Sequence, residues 1–359
     1  MKQDQPFFSI IVPTYNRPRQ LAECLRALAA LDYPRRRFEV IVVDDGSDSP
    51  LAEVIAPFHP LLRLALVTQE NAGPGAARNT GAALAEGTFL AFTDDDCLPT
   101  GQWLTALAAR FAEYPHRAIA GRTINALPHN PFARASQIII DLVHAYYNAD
   151  PQQARFSASN NLALPRELFR SLGGFDETFR TSEDRDLIDR WLNRGHRLIY
   201  APEVLVYHAP LLTWRGYCRL NIQVTHLKRW TFVSLLCTDI FRRAVPWSRL
   251  ILRQGDWVWD LNVDARSRLS AVWAWAALFF LVLGFWLPSV WWGLLPALTA
   301  LAVINADLYR FFWRHGGPGF TVGAAALHAL YLIYSSLTFA VLAGQAWLGK
   351  TVGGLVRKK

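Results

Sequence analysis

Thr88-Phe89-Leu90-Ala91-Phe92-Thr93-Asp94-Asp95-Asp96 runs from an apolar stretch directly into three consecutive carboxylates. Residues 88–92 have the composition of a buried β-strand, so the acidic triplet is expected at the carboxyl end of that strand. Hard divalent cations such as Mg²⁺ or Mn²⁺ often lie between one or two carboxylates and the phosphates of a substrate. An Asp-rich turn before a helix is the alternative, and the neighbouring motifs decide between the two.

Three further segments repeat the arrangement of an apolar strand followed by polar or Gly-rich residues. Residues 8–18 read Phe-Ser-Ile-Ile-Val and then Pro-Thr-Tyr-Asn-Arg-Pro, and residues 40–47 read Val-Ile-Val-Val and then Asp-Asp-Gly-Ser. Residues 64–79 combine a short strand with a Gly-rich turn that opens an Ala-rich helix. The alternation predicts a doubly wound α/β domain, in which ligands bind outside the carboxyl ends of the strands.

Five segments of the chain together resemble the family-2 glycosyltransferases, which have the GT-A fold. They are residues 9–17, 42–47, 73–81, 93–96 and 173–186. The segments occur in the family's order with approximately its spacing. The resemblance implies transfer of a sugar from a nucleotide-sugar to an acceptor hydroxyl, with inversion at the anomeric carbon. It also implies a Mg²⁺ or Mn²⁺ ion, which suits a leaving diphosphate that gains negative charge.

The resemblance also implies which residues bind the donor and the metal ion. Asp96, the last carboxylate of the DxD-type motif, is implied as a metal ligand, with Asp94 on the metal side. Many GT-A enzymes place a late histidine on the metal, which here is His208, although a structural histidine is the alternative. The guanidinium of Arg78 suits the geometry of a phosphate, which favours a donor-binding role. The alternative is that Arg78 is a solvated residue on the helix surface. The implied donor-binding residues are Pro13, Thr14, Tyr15, Asp45, Arg78, Asp94 and Asp95.

The candidate catalytic base lies in the segment Thr181-Ser182-Glu183-Asp184-Arg185-Asp186, before an amphipathic helix. Asp184 matches the second acid of the family's Glu-Asp pair, which accepts the proton of the acceptor hydroxyl, and Glu183 is the first acid of that pair. Ser182 followed by acids also fits an ordinary helix N-cap. The preceding residues 172–177, Leu-Gly-Gly-Phe-Asp-Glu, are another family hallmark and favour the catalytic interpretation.

Two asparagines resemble the acceptor-side segment of the family. Asn160 and Asn161 follow Ser159 and precede an apolar residue. Amides in this segment could bond a sugar hydroxyl of the acceptor. Asparagines are also common in ordinary turns, so both interpretations stay open.

The composition changes after residue 208. Residues 211–267 interleave basic side chains with Trp and Tyr. We predict a segment at a membrane surface, because aromatic rings favour the interface and cations favour anionic headgroups. A nucleic-acid patch is the alternative, but no nucleic-acid motif accompanies it, so no nucleic-acid partner is expected.

Three almost uncharged segments follow, each near the ~20 residues that cross a bilayer. They run from 269 to 287, from 290 to 306 and from 321 to 348. A polar loop is expected at 310–319. The positive-inside rule places Arg310, Arg314 and the catalytic domain in the cytoplasm. The basic tail at 357–359 disagrees, which requires a re-entrant or in-plane third segment or an exception to the rule.

Length and charge agree with a membrane-anchored enzyme. The 359 residues allow a GT-A domain at 1–210, the interface segment at 211–267 and a transmembrane region at 268–359. A net charge of +8 predicts anionic lipid and phosphate partners. Four scattered cysteines and no secretory signal before the first strand predict a catalytic domain on the reducing, cytoplasmic face. Together with the apolar segments, this predicts a multi-pass protein of the cell membrane.

The resulting hypothesis is a metal-dependent, inverting glycosyltransferase of cell-surface glycan assembly. The family favours a UDP-sugar as donor, and the membrane anchor favours a lipid-linked sugar or polyprenyl phosphate as acceptor. Two alternatives stay open. A processive polysaccharide synthase would need a channel, for which three short spans are few. A non-catalytic nucleotide-sugar sensor or assembly partner would require Asp96 and Asp184 to be dispensable.

Overall fold

The computed structural model describes residues 5–125, 131–179, 181–208, 240–245, 248, 251–252 and 265–356. The chain divides into two compact units, Met1–Arg229 and Trp230–Lys359. Most of the predicted membrane-surface segment, residues 211–267, lies outside the described residues. The domain boundaries expected near 210 and 268 therefore stay predictions.

The described part of the first unit contains an eight-stranded sheet. Its strands are β1 (Phe8–Thr14), β2 (Phe38–Asp44), β3 (Leu64–Thr68), β4 (Phe89–Phe92), β5 (Cys97–Pro99), β6 (Ala118–Asn125), β7 (Leu162–Pro165) and β8 (Leu198–His208). Their spatial order is β3-β2-β1-β4-β7-β6-β8-β5. The neighbouring strands β3, β2, β1 and β4 run parallel. In contrast, β7 is antiparallel to β4 and β6, and β5 is antiparallel to β8.

Helices cover both faces of this sheet. They are α1 (Pro18–Ala29), α2 (Ala52–Ile55), α3 (Pro74–Leu84), α4 (Trp103–Glu113), α5 (Pro131–Tyr147), α6 (Arg166–Leu172) and α7 (Glu183–Asn193). Ile10 and Val12 of β1 belong to a core shared with α1 and α4, while Ile11 belongs to a second core shared with α3, α6 and α7. A strand buried on both faces has to be apolar throughout, which explains the continuous apolar run. The predicted α/β fold is confirmed.

The strand order reverses at β1. The chain proceeds from β1 to β2 and β3 on one side and then places β4 on the other side. Open α/β sheets bind ligands in the crevice at the carboxyl ends of the strands beside such a reversal. Because β1, β2 and β4 are parallel, the polar residues that follow Thr14, Asp44 and Phe92 lie at the same edge of the sheet.

Gly121 lies at an irregularity in the pairing of β6 with β8. A Cβ atom at this position would lie 2.3 Å from the side-chain nitrogen of Asn161 and 2.4 Å from the carbonyl oxygen of Val204. Both distances are well inside van der Waals contact. Glycine is therefore required here by the close approach of neighbouring atoms.

We expect Gly121→Ala to lower the free energy of unfolding by about 1–3 kcal/mol, because the added methyl overpacks a buried site. Chemical unfolding of the full chain measures this. Gly101→Ala is the control, since its Cβ would have its nearest neighbour, the Ala30 carbonyl oxygen, at 3.7 Å. Equal stability of the two variants would show that the sheet yields at Gly121.

The described part of the second unit is helical. Its helices are α8 (Ala265–Gly284), α9 (Leu294–Ile304) and α10 (Ala306–Val356). A small buried cluster takes one residue from each helix: Ala274, Leu301 and Leu332. Residues Ala265–Gly284 and Gly316–Gln345 form helices long and apolar enough to cross a membrane, which agrees with two of the predicted spans.

One expectation for the second unit, the polar loop at 310–319, is wrong, whereas the span at 290–306 stays a prediction. Residues 310–316 are helical within α10, since the break comes at Gly317, with φ 79°, and is followed by Pro318. The segment expected to span at 290–306 forms a 3₁₀ turn and then α9, whose 11 residues reach about 16 Å. It would count as one span only together with Ala306–Arg314, across a bend of 73°.

Candidate active site

The acidic triplet after β4 is held by residues from the loop after β1. The Thr14 hydroxyl donates a hydrogen bond to Asp95 Oδ2 at 2.8 Å. Arg17 Nη1 donates to Asp95 Oδ1 at 3.1 Å and to Asp96 Oδ2 at 2.9 Å. Burial and the neighbouring charge of Asp96 raise the pKa of Asp95 to about 7. The triplet is thus a concentrated negative site that already holds one cationic group.

Arg78 on α3 connects this triplet to the acidic pair that begins α7. Its Nη2 lies 2.7 Å from Asp94 Oδ1, and its Nη1 lies 2.8 Å from Glu183 Oε1. The side chain is 4% exposed, so a solvated helix residue is excluded. Burial lowers the pKa of Arg78, but Asp94 and Glu183 more than offset this and raise it above its ordinary value. Direct donor binding by Arg78 stays a prediction.

The candidate base, Asp184, is half-buried beside Glu183. Burial and the charge of Glu183 raise the pKa of Asp184 to about 6, although Arg78 opposes the shift. A carboxyl with a pKa near neutrality can accept and release a proton under ordinary conditions. Ser182 occupies the N-cap position with φ 68° and, within the described residues, makes no side-chain capping bond. The ordinary N-cap interpretation therefore does not describe this segment.

Asp45 fixes the Gly-rich turn that precedes α3. Its carboxylate accepts hydrogen bonds from the backbone N–H groups of Ala72 and Gly73, both at 2.9 Å, and from the Gln69 side chain at 2.8 Å. These bonds hold the turn against the end of β2. An additional contact from Asp45 to the donor stays a prediction.

The residues expected to wall the nucleoside differ in exposure. Pro13 and Thr14 are buried within β1, and the Thr14 hydroxyl is engaged by Asp95. Tyr15 lies just beyond the strand and is 46% exposed. Of the three, Tyr15 is therefore the side chain available to a ligand.

Sequence reasoning gave no role to two residues that organise the site, Arg17 and Asn79. Asn79 Nδ2 donates to the Phe175 carbonyl oxygen at 2.9 Å, and Asn79 Oδ1 accepts from the Phe175 N–H at 2.9 Å. This pair of bonds holds the Gly-Gly-Phe turn against α3. Both residues stand inside motifs that are visible in the sequence, but their partners lie far away along the chain.

The predicted acceptor role of Asn161 is wrong. Its side chain is buried, with Oδ1 accepting from Trp103 Nε1 at 2.9 Å. Its Nδ2 donates to the carbonyl oxygens of Arg122 at 2.9 Å and Val204 at 2.8 Å. Both amide hydrogens are therefore used inside the protein. Asn160 is half-buried and accepts from the Thr123 hydroxyl at 3.1 Å, and its acceptor role stays a prediction.

We expect Asn161→Ala to lower the free energy of unfolding by at least about 3 kcal/mol, because it leaves one buried donor and two buried acceptors without their partner. Thermal and chemical unfolding measure this. Asn160→Ala is the matched control and should cost about 1 kcal/mol, the value of one hydrogen bond. A smaller loss in the Asn161 variant than in its control would contradict the structural role.

The acidic edge fits a divalent cation that also binds phosphate. Within the described residues, no three His, Cys, Asp or Glu side chains converge into a complete metal cage. Mg²⁺ and Mn²⁺ do not need one, because substrate phosphates and water supply ligands. The Asp95–Asp96 pair already accommodates a cationic nitrogen of Arg17. His208 pairs through its backbone with Cys97, next to Asp96, but its side chain lies outside the described residues.

A mixed sheet with an acidic edge beside the β1–β4 reversal defines the GT-A class of glycosyltransferase folds. The mannosyltransferase PcManGT from Pyrobaculum calidifontis, solved in complex with GDP-Man and Mn²⁺, matches with a TM-score of 0.59. The match covers 94% of this chain and 88% of the other at 22% identity, which shows the fold.

Residues 9–173 match the family model described as Glycosyl transferase family 2. Glycosyltransferase AglE of Haloferax volcanii is 27% identical over 211 residues, which cover 58% of this chain and 68% of AglE. The pre-mycofactocin glycosyltransferase of Mycobacterium tuberculosis is 32% identical over 205 residues, 56% of this chain but only 42% of that relative. The predicted resemblance to the family-2 glycosyltransferases and the predicted fold are thereby confirmed.

Proposed function

We propose that this protein is a metal-dependent, inverting glycosyltransferase that moves a sugar from a nucleotide-sugar, by preference a UDP-sugar, to the hydroxyl of a lipid-linked acceptor. The observation that carries the proposal is the Arg78 bridge. Arg78 joins Asp94 of the acidic triplet to Glu183 of the Glu183–Asp184 pair, although Arg78 and Glu183 are 105 positions apart. Inverting transfer needs both parts at one edge, since the base and the leaving diphosphate flank the same sugar.

In the proposed reaction, the acceptor oxygen attacks the anomeric carbon from the face opposite the diphosphate. The bond from that carbon to the diphosphate oxygen breaks, and its electron pair stays on the diphosphate. Asp184 takes the proton from the acceptor hydroxyl. A divalent cation held by Asp96 and Asp94 would neutralise the charge of the leaving group. Arg78 fixes Glu183, whose negative charge keeps Asp184 a strong enough base.

The second unit supports an acceptor that resides in the membrane. Its two long apolar helices are suited to anchor the chain, and the basic, aromatic composition of residues 211–267 is suited to anionic headgroups. A lipid-linked sugar or polyprenyl phosphate would present its reacting group at that surface. We place the catalytic domain on the cytoplasmic face, where nucleotide-sugars are made, in agreement with the basic residues Arg310 and Arg314.

The donor site is tested by calorimetric titration of the purified full chain with UDP, GDP and dTDP, with and without Mn²⁺. We expect one nucleotide to bind in a metal-dependent manner, and Asp96→Asn to weaken that binding at least about tenfold, about 1.4 kcal/mol. Asp150→Asn is the control, because Asp150 is exposed and caps the 3₁₀ turn Pro151–Gln153, to which no donor or metal role is assigned. Unchanged binding by the Asp96 variant would contradict the metal assignment, and no nucleotide binding at all would favour a different function.

The base is tested by the pH dependence of transfer. Because Asp184 accepts a proton only when ionised, kcat/KM should rise with pH through about 6, the pKa of its carboxyl. Asp184→Asn should lower kcat by about 10²- to 10⁴-fold while nucleotide binding persists. Asp189→Asn changes the same charge on the same helix, where Asp189 pairs with Arg185, and should keep the pH midpoint. Full activity of the Asp184 variant would remove the residue from the mechanism.

A further inference from the structure

The acidic edge contains two arginines in contrasting environments. Arg78 is 4% exposed and is enclosed between Asp94 and Glu183. Arg17 contacts Asp95 and Asp96, but its own side chain is 48% exposed. The first is a fixed part of the interior. The second covers two carboxylates from the solvent side, where a ligand would arrive.

Arg17 contacts both carboxylates through one of its three guanidinium nitrogens. Nη1 makes both contacts, at 3.1 Å to Asp95 Oδ1 and 2.9 Å to Asp96 Oδ2. Within the described residues, the hydrogen bonds of this guanidinium are made through Nη1. Nε and Nη2 are then available to oxygen acceptors, and a planar guanidinium suits the paired oxygens of a phosphate.

The loop that carries Arg17 is anchored one residue earlier. Asn16 has φ 55°, its N–H donates to the Ser47 hydroxyl at 2.8 Å, and its side chain exchanges hydrogen bonds with Asp48 at 3.0 and 2.9 Å. The backbone before Arg17 is therefore held against the loop after β2. The Arg17 side chain can change partner without a movement of this backbone.

We propose that Arg17 is a resident counter-cation of the Asp95–Asp96 pair, which gives way at Asp96 to a divalent cation and then pairs with the diphosphate of the donor. The inference rests on the proposed function. A metal ion alone has to displace Arg17 from Asp96. When a nucleoside diphosphate is present, the displaced guanidinium gains phosphate oxygens as partners. Metal and nucleotide therefore strengthen each other's binding through Arg17, and this coupling is reciprocal.

The test measures Mn²⁺ affinity alone, UDP and GDP affinity alone, and Mn²⁺ affinity in the presence of each nucleotide, by calorimetry on the full chain in detergent. Wild type should show a coupling factor in the range of about 5- to 150-fold. Arg17→Ala should bind Mn²⁺ alone roughly two- to fivefold more tightly, the scale of a partly exposed ion pair. Its coupling factor should fall several-fold, because the diphosphate has lost its arginine partner.

Arg19→Ala is the matched control. Arg19 is exposed, and this substitution removes the same positive charge two positions away from Arg17. It should leave both the Mn²⁺ affinity and the coupling factor at the wild-type values. Arg17→Lys keeps the charge without the fork and should fall between wild type and Arg17→Ala. Thermal unfolding of each variant establishes that it is folded.

Three results would overturn the proposal, and each has a different meaning. If wild type shows metal-dependent nucleotide binding and Arg17→Ala retains the full coupling factor, the role of Arg17 is refuted and the proposed function stands. If wild type binds no nucleotide with Mn²⁺, both are refuted. A loss of coupling in Arg19→Ala equal to that in Arg17→Ala would assign the effect to net charge and would also overturn the proposal.

Discussion

Charge compensation by two guanidinium groups is the interaction on which the acidic edge depends. Three aspartates follow β4 and two more acids begin α7, so mutual repulsion and desolvation would favour their protonation. Arg78 offsets this in the interior, where it bonds Asp94 and Glu183, and Arg17 offsets it at the surface. The raised pKa values of Asp95 and Asp184 are what remains after this compensation. A concentrated negative charge is thus maintained in a folded protein, ready for a cation and a proton.

The location of the site was predictable from the sequence, while most of its internal contacts were not. Apolar runs that end in Asp44-Asp45 and in Asp94-Asp95-Asp96 identify buried strands and their carboxyl ends, and parallel strands bring those ends to one edge. Side-chain pairing across long separations leaves no comparable pattern. Asn161 illustrates this, because its motif suggested a sugar-binding amide and its three hydrogen bonds lie in the core.

In the helical unit, the sequence likewise predicts the apolar segments better than it predicts where the helices break. Apolar length predicts three spans, two of which form single helices that can cross a membrane, but the positions of the breaks depend on single residues. The polar residues of 310–319 predicted a loop, yet residues 310–316 are helical, and Arg310 pairs with Asp307 of the same helix at 3.4 Å. Asp307 also pairs with Arg266 of α8 at 3.1 Å. The helix persists until Gly317, whose positive φ ends it immediately before Pro318.

The separation of Arg78 from Glu183 along the chain also has a consequence for biosynthesis. Residues 8–96 supply the parallel strands β1 to β4 and the acidic triplet, but the second carboxylate partner of Arg78 comes 105 positions after it. A growing polypeptide therefore lacks one of the two carboxylate partners of Arg78 until α7 has left the ribosome. The acidic edge is completed late, and an incomplete chain has no assembled centre with which to consume a precursor.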